Sequence, residues 1–375
     1  MHNRLKTLAL FFCSVVLALA AGEILTRWVT PQHLIDADPD IWRYDDRVGY
    51  RHKENADAIV NSGEGPHRFI TDRNGYRVSR IENRTDQSAD IALLAIGDSF
   101  IEGVSVENEQ TIPGILANRL SLKYDLKVGD LNAGTSGWDP NYYLLEVRRS
   151  LAQQRVALGL VFLFCGNDIV AQFDTSALSG LLTNKPRAEF HNFAEWFHFR
   201  IIGPVRTSIE ARSHLYILFK HQAYAFFSWL GISTRVKPQV FFRAEEDSPR
   251  WEVTANICLA IAEEFQSRNV PVIFVLLPPV FQVNENLFYS YAKFYGIARD
   301  STDLEQPNRQ LAAEFSARSL TLLDPLNYLR EQFSRGAMLY GAIDRHFNAS
   351  GHQAVAQFLQ PYVEAALEPV LLREN

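Results

Sequence analysis

The sequence predicts an α/β protein: a three-layer α/β/α sandwich on a five-stranded parallel sheet, with a helical insertion between strands three and four. Three observations predict it. Five short apolar runs recur along the chain, and stretches with helical spacing alternate with them. The runs are continuously apolar, as strands buried on both faces of a parallel sheet must be. Polar residues gather where the runs end, and in such sheets sites form at the carboxyl ends of the strands.

Ile91 to Ile96 is the first run and closes at Gly97. Thr111 to Lys123 has helical spacing, with Ile112, Ile115, Leu116 and Leu120 on one face. Val128 to Leu131 is the second strand, ending at Asn132-Ala133-Gly134, and Tyr142 to Arg155 reads as a helix. Leu158 to Phe164 is the third strand, ending at Cys165-Gly166-Asn167-Asp168. Trp251 to Asn269 is helical, and Val272 to Leu277 is the fourth strand, closed by Pro278-Pro279. Arg309 to Arg318 is helical, Leu320 to Leu323 is the fifth strand, and Ser350 to Leu367 is a closing helix. Residues 91–370 thus form one domain.

Between strands three and four the rhythm breaks. Residues 175–250 form the expected insertion, rich in aromatics such as Phe193, Trp196, Phe197, Phe219, Phe226 and Phe227. Helical patterning runs from about Ser208 to Leu230. The insertion is expected to pack over or beside the site. Its rings can form its own small core, a substrate groove or a membrane-facing surface.

Ahead of the domain, residues 30–90 read as a lead-in of short strands and turns. Asn74-Gly75 marks a tight turn, and Glu82 to Asp90 is a polar linker. Residues 1–29 are a signal anchor or a signal peptide. His2, Arg4 and Lys6 precede an apolar run from Leu8 to Ala21, which places the following chain outside the cytoplasm. That run alone is short against the roughly 20 residues of a membrane span. Ala18-Leu19-Ala20 offers a cleavage pattern, whereas Ile24, Leu25, Trp28 and Val29 prolong the apolar character towards an uncleaved anchor. Cys13 follows Phe12, which argues against a lipoprotein site.

Composition excludes several classes. Apolar residues make up 47% and charged residues 21%, enough apolar surface for a large core. The net charge of −6 gives no footprint for nucleic acid. Cys13, Cys165 and Cys258 cannot form a disulfide framework, and only a Cys165–Cys258 bridge stays open. No Cys/His spacing resembles a metal site, and no phosphate-cradling Gly-x-Gly-x-x-Gly or Gly-Lys-Ser/Thr motif appears. No cofactor and no metal are therefore expected, and a flavodoxin-like nucleotide or flavin site is the weaker reading.

Four polar segments carry candidate chemistry. Ser99, after Gly97-Asp98, sits at a strand end before a helix, where a hydroxyl is exposed on a sharp turn. Such a hydroxyl needs a base and an anion-stabilising pocket to act as a nucleophile. Asn132 to Gly137 is glycine-rich and can aim a backbone N–H at a ligand. Asn167 can donate to an oxyanion without adding charge. Asp344-Arg345-His346 offers a base and a carboxylate to orient it. Singly, each segment reads as an ordinary turn or helix cap. Their order along the chain, three at strand ends and one before the last helix, is the uncommon feature.

That order resembles the conserved blocks of the SGNH hydrolase (GDSL esterase/lipase) family, over residues 91–365. Gly97-Asp98-Ser99-Phe100, Asn132 to Gly137, Gly166-Asn167-Asp168 and Asp344 to His346 match its blocks in turn. The resemblance implies a flavodoxin-like sheet, Ser99 as nucleophile, His346 as base and Asp344 as its orienting acid. It implies an oxyanion hole of the Ser99 N–H, the Gly137 N–H and the Asn167 side chain. The usual family spacing is Asp-x-x-His, but Ile343 stands three before His346 and the carboxylate stands two before. A D-x-H version resembles the exported, membrane-associated subset that includes alginate O-acetyltransferases. In that subset a Gly-His pair like Gly351-His352 is structural, so the rival base His352 is set aside. Glu23, Arg27 and the Asp72 to Arg77 turn also resemble that subset.

The expected function is that of a serine esterase on O-acyl esters, short-chain or glycan-borne, with the catalytic domain on the periplasmic side. The expected partners are an ester substrate, which includes acylated polysaccharide, and a membrane at the N-terminal segment. A polysaccharide O-acetyltransferase using the same acyl-enzyme is the alternative. A catalytically weak envelope polysaccharide scaffold is a third reading, and lipid esters stay open as substrates.

Overall fold

The runs of branched and leucine side chains become a sheet because both of its faces are covered. A computed structural model describes residues 2–36, 39–79, 89–170, 192–229, 239–295 and 297–374. The chain opens with helix α1 (His2–Val29), then makes two antiparallel hairpins: β1 (Trp42–Asp45) with β2 (Gly49–His52), and β3 (Asp57–Val60) with β4 (His67–Ile70). The domain follows with β5 (Ile91–Ile96), α2 (Ser99–Glu102), α3 (Ile112–Tyr124), β6 (Val128–Asn132), α4 (Pro140–Gln153) and β7 (Leu158–Phe164).

The insertion supplies α5 (Phe193–Phe197), a π-helical turn (His198–Ile202), α6 (Gly203–Glu210) and α7 (His214–Trp229). Then come α8 (Arg250–Gln266), β8 (Val272–Leu277), α9 (Val280–Val283), α10 (Glu285–Tyr295), α11 (Gln306–Ala317), β9 (Leu322–Leu323), α12 (Leu326–Ser334) and α13 (Ala349–Glu374).

The five domain strands pair in the order β6-β5-β7-β8-β9, every neighbour parallel. β5, β6 and β8 are buried along nearly their whole length. One face is packed by α4, α8 and α11 through Leu144, Ile257, Ile261 and Phe315. The other is packed by α3, α12 and α13 through Leu116, Leu120, Leu329 and Val355. The expected three-layer sandwich is what the chain forms. The strand order reverses between β5 and β7, so the crevice of this sheet lies above their carboxyl ends.

Helix starts follow local chemistry. Thr111 accepts the Gly114 N–H and opens α3, and Asp139 accepts the Asn141 N–H at 2.8 Å and opens α4 with Pro140 in its first turn. The fifth strand is shorter than its apolar pattern, because only Leu322 and Leu323 pair with β8. Cys165 and Cys258 are both free and buried, so the bridge left open by the sequence does not form.

The lead-in is less separate than its sequence suggests. Arg77 is fully buried, and its N–H donates to the Asn132 carbonyl at 2.9 Å. The lead-in is thereby tied to the end of β6. Residues 82–88 of the expected polar linker lie outside the described residues, as do residues 175–191 and 230–238 of the insertion. Within the described part of the insertion, α7 packs on α1, while Val240 and Phe241 join the domain core. Helix α1 is long and apolar enough to cross a membrane over Lys6–Val29, and none of its apolar window is buried.

Candidate active site

The site begins at the switch point. Asp98 caps α2: its Oδ1 accepts the Phe100 N–H at 2.9 Å, which fixes Ser99 as the first residue of that short helix. Ser99 is half-buried, and its N–H finds no protein acceptor among the described residues. Burial pushes the Asp98 carboxyl up to about 6, against the pull of the Phe100 N–H, His346 and the Asn167 side chain.

The base arrives from beyond the last strand. His346 Nε2 lies 2.8 Å from Ser99 Oγ, across 247 positions of sequence. Phe100 packs against the His346 ring at 4.9 Å and against Phe347 edge-on, walling the imidazole on one side. His346 Nδ1 lies 3.6 Å from Asp344 Oδ2, within ion-pair range but long for a hydrogen bond. The same carboxylate accepts the His346 backbone N–H at 3.1 Å and the Ser105 hydroxyl. Burial pushes the Asp344 carboxyl up, but the His346 ring and the Ser105 and Ser62 hydroxyls outweigh it and hold it at about 2. The acid is thus an anion throughout the neutral range.

A backbone feature explains how a D-x-H spacing brings these groups together. Arg345, the intervening residue, has φ of +65°, a left-handed conformation uncommon outside glycine. That turn lets Asp344 and His346 face each other with a single residue between them. Ile343, at the commoner acid position, is exposed and donates its N–H to Glu64. His352 lies inside α13, fully buried against Phe347, and burial drives its pKa down to about 3. It has no place at the serine.

The glycine loop after β6 divides its labour. At Gly134 a Cβ would meet the Glu102 backbone nitrogen at 2.2 Å, so this glycine permits close contact with α2 rather than with a ligand. Gly137 is the outward-facing one. It is exposed with φ of +78°, and its N–H has no protein acceptor among the described residues. Asn132 proves structural: its amide donates to the Ile101 carbonyl at 2.9 Å and its oxygen accepts the Gly134 N–H.

Asn167 is exposed at the end of β7, beside the crevice. The next residue holds its turn. Asp168 is fully buried and accepts the Phe164 N–H and the Tyr143 hydroxyl, each at 2.7 Å. Burial, with the Asp98 charge nearby, pushes the Asp168 carboxyl well above the usual range.

Several supporting residues escaped the sequence reading. Glu102 ends α2 fully buried, and its Oε2 accepts both the Ser136 N–H, at 2.6 Å, and the Ser136 hydroxyl. His52 of β2 meets its other oxygen at 3.3 Å. Burial pushes the Glu102 carboxyl up, but His52, Ser136 and Arg77 prevail and lower it. The Arg77 guanidinium donates to the carbonyls of Glu102, Gly103 and Val106. Glu64 accepts the backbone N–H groups of Ile343 and Asp344. The one hint in the sequence was an acidic residue at the end of the apolar Ser99-Phe100-Ile101-Glu102 segment.

No family model and no curated protein matches this sequence. Solved structures of G-D-S-L and acetyl esterases are similar to it. A member of the lipolytic protein G-D-S-L family from Veillonella parvula shares 12% identity over 72% of this chain and 96% of its own, with a TM-score of 0.36. The lipase/acylhydrolase from Enterococcus faecalis shares 12% over 74% and 98%, with a TM-score of 0.38. The acetylxylan esterase Axe2 from Geobacillus stearothermophilus, as a catalytic mutant, shares 11% over 74% and 95%, with a TM-score of 0.37.

Proposed function

We propose that this protein is a serine esterase that cleaves O-acyl esters through an acyl-enzyme on Ser99. One observation carries the reading: His346 Nε2 stands 2.8 Å from Ser99 Oγ at the switch point of the sheet, with Asp344 behind the ring. That is the geometry a hydroxyl nucleophile needs from its base.

The steps follow. Ser99 Oγ attacks the ester carbonyl as His346 Nε2 takes its proton. The Ser99 N–H, the Gly137 N–H and the Asn167 amide receive the developing oxyanion, each such donor being worth about 3 kcal/mol of barrier. His346 returns the proton to the leaving alcohol, and water attacks the acyl-enzyme by the same route. Asp344 holds the ring and stabilises its cationic form.

Gly137 and Asn167 are both exposed, so an acceptor, water or a sugar hydroxyl, has access to the acyl-enzyme. The basic residues at the start of α1 and its apolar length support an anchored enzyme whose domain lies outside the cytoplasm. Short O-acyl groups, including those on glycans, are the proposed substrates.

The test uses p-nitrophenyl esters from acetyl to palmitoyl with the full-length protein. Turnover favouring acetyl, abolished in Ser99→Ala, is expected. Equal turnover in Ser99→Ala would overturn the mechanism. Acylation of a supplied sugar in preference to release of acid would make the protein a transferase.

A further inference from the structure

Helix α1 carries a single acidic residue, Glu23, late in its apolar stretch. A carboxylate at that depth is costly in a bilayer unless it is paired. The structure pairs it fully. Glu23 accepts the N–H groups of His214 and Leu215, both at 3.0 Å, and the Ser213 hydroxyl at 2.8 Å, so it caps α7. Arg27 donates to Glu23 at 2.7 Å and to the Arg212 carbonyl at 2.7 Å. Gln32 N–H reaches His214 Nδ1 at 2.8 Å. Beside Gly22, a Cβ would stand 3.2 Å from the Leu215 side chain.

This docking fixes the height of the insertion. From Glu23 to Val29 the helix rises by about 9 Å, at 1.5 Å per residue. The start of α7 therefore lies below the outward end of the apolar span, at the level of the lipid headgroups and upper acyl chains.

The segment leading to α7 is shaped for that level. Phe193, Phe197, Ile201, Val205 and Ile209 recur every four residues, and all five are exposed. α6 buries none of its residues among those described. Arg200, Arg206 and Arg212 outnumber Glu195 and Glu210 along the same segment, although Arg206 pairs with Glu210 at 3.8 Å. On α7, Phe219, Phe226 and Phe227 are exposed as well. A soluble surface seldom carries so large an apolar stripe, whereas a helix lying in a bilayer interface needs both the stripe and the cations.

We propose that Phe193–Trp229 is a second membrane-contacting element, lying in the outer-leaflet interface and held there by Glu23. The bilayer is chosen over a protein partner because α7, the helix that follows the stripe, packs on α1, whose own exposed apolar length already calls for lipid. The catalytic domain would then be held on the membrane at two places instead of pivoting on one helix. The inference rests on α1 being a retained anchor.

The test places single spin labels on the full chain, in a Cys13→Ser background, with Cys165 and Cys258 left buried. Labels at Leu17, Val205, Phe219 and Leu122 are compared in vesicles of phosphatidylcholine and phosphatidylglycerol. Accessibility to oxygen and to a water-soluble nickel chelate is measured by electron paramagnetic resonance. Leu17, Val205 and Phe219 are expected to favour oxygen several-fold, and Leu122 the chelate. A lipid-like Leu17 with an aqueous Val205 and Phe219 would overturn the inference and leave the anchor standing. An aqueous Leu17 would remove the anchor itself. Shielding of Val205 and Phe219 from both reagents would assign the stripe to a second copy or another protein, and also overturn it. In Glu23→Ala the oxygen preference should fall at Val205 and persist at Leu17. An unchanged Val205 would overturn the role given to Glu23.

Discussion

Glu102, the last residue of the helix that Ser99 begins, accepts the Ser136 N–H at 2.6 Å and so joins the serine turn to the glycine loop. Nucleophile and proposed oxyanion donor are thereby held by one buried carboxylate. Glu102→Ala would leave His52 and both Ser136 donors unanswered. Leaving buried donors without an acceptor costs about 1–3 kcal/mol of stability. Displacement of Gly137 would lower kcat by about 10²-fold, the scale of a lost oxyanion donor. Glu102→Gln keeps the shape and an acceptor, so it should recover most of kcat. Urea melts and ester kinetics on the three proteins check this: a kcat unchanged in Glu102→Ala would remove its positioning role. Because the folded carboxyl is lowered, its stabilisation is present above the ordinary Glu pKa and fades as pH falls through the lowered value.

The proposed triad members should not be equal. Ser99→Ala and His346→Ala remove the nucleophile and its base and should abolish acyl-enzyme formation. Asp344 stands 3.6 Å from the ring and also serves Ser105 and the His346 backbone. Asp344→Asn should therefore cost less, about 10²-fold in kcat, the low end for a proton-transfer partner. Trapping with a fluorophosphonate followed by peptide mapping gives the ranking. A loss in Asp344→Asn as large as in His346→Ala would mean that the acid is closer to the ring during turnover.

Much of this was legible in the sequence, for physical reasons. Strands buried on both faces are continuously apolar, and that pattern needs no partner to be read, so Ile91–Ile96 and Val272–Leu277 stood out. The four polar segments were visible because turn residues interrupt those runs. Long-range pairings were not. Nothing near Arg77 announces that it will reach three carbonyls at and beyond the end of α2, or near Glu64 that it will hold the backbone before His346. The left-handed Arg345 was equally hidden, since arginine has no preference for that conformation. α12 went unread because its apolar face is only Leu326 and Leu329.

Arg345 offers a direct test of the D-x-H geometry. Proline is fixed near φ −65° and cannot occupy this position, so Arg345→Pro should separate Asp344 from His346. Glycine adopts left-handed backbone freely. A left-handed non-glycine residue costs about 1–2 kcal/mol, which Arg345→Gly relieves while it loosens the unfolded chain by a comparable amount. Arg345→Gly should thus keep near-native turnover and melting temperature. Equal activity in Arg345→Pro and Arg345→Gly would show that the turn does not matter.

Asp98 gives the clearest pH signature. Its folded pKa is raised to about 6 from the ordinary 3.8 by burial. The folded state therefore holds this proton more tightly than the unfolded chain does. The resulting stability is fully present below the unfolded pKa and is lost as pH rises through about 6. Above that, the wild type keeps an anion buried beneath the serine turn. Asp98→Asn retains an oxygen to accept the Phe100 N–H and carries no charge, so the cap survives. Its melting temperature should exceed the wild type's at pH 8, and the gap should narrow at pH 5, where the wild-type carboxyl is largely protonated. Turnover should nonetheless fall in the variant, because the anion stabilises cationic His346 and draws on the Asn167 side chain. Melts at the two pH values, paired with esterase assays, separate the effects. A gap of the same size at both would mean that Asp98 does not titrate in this range.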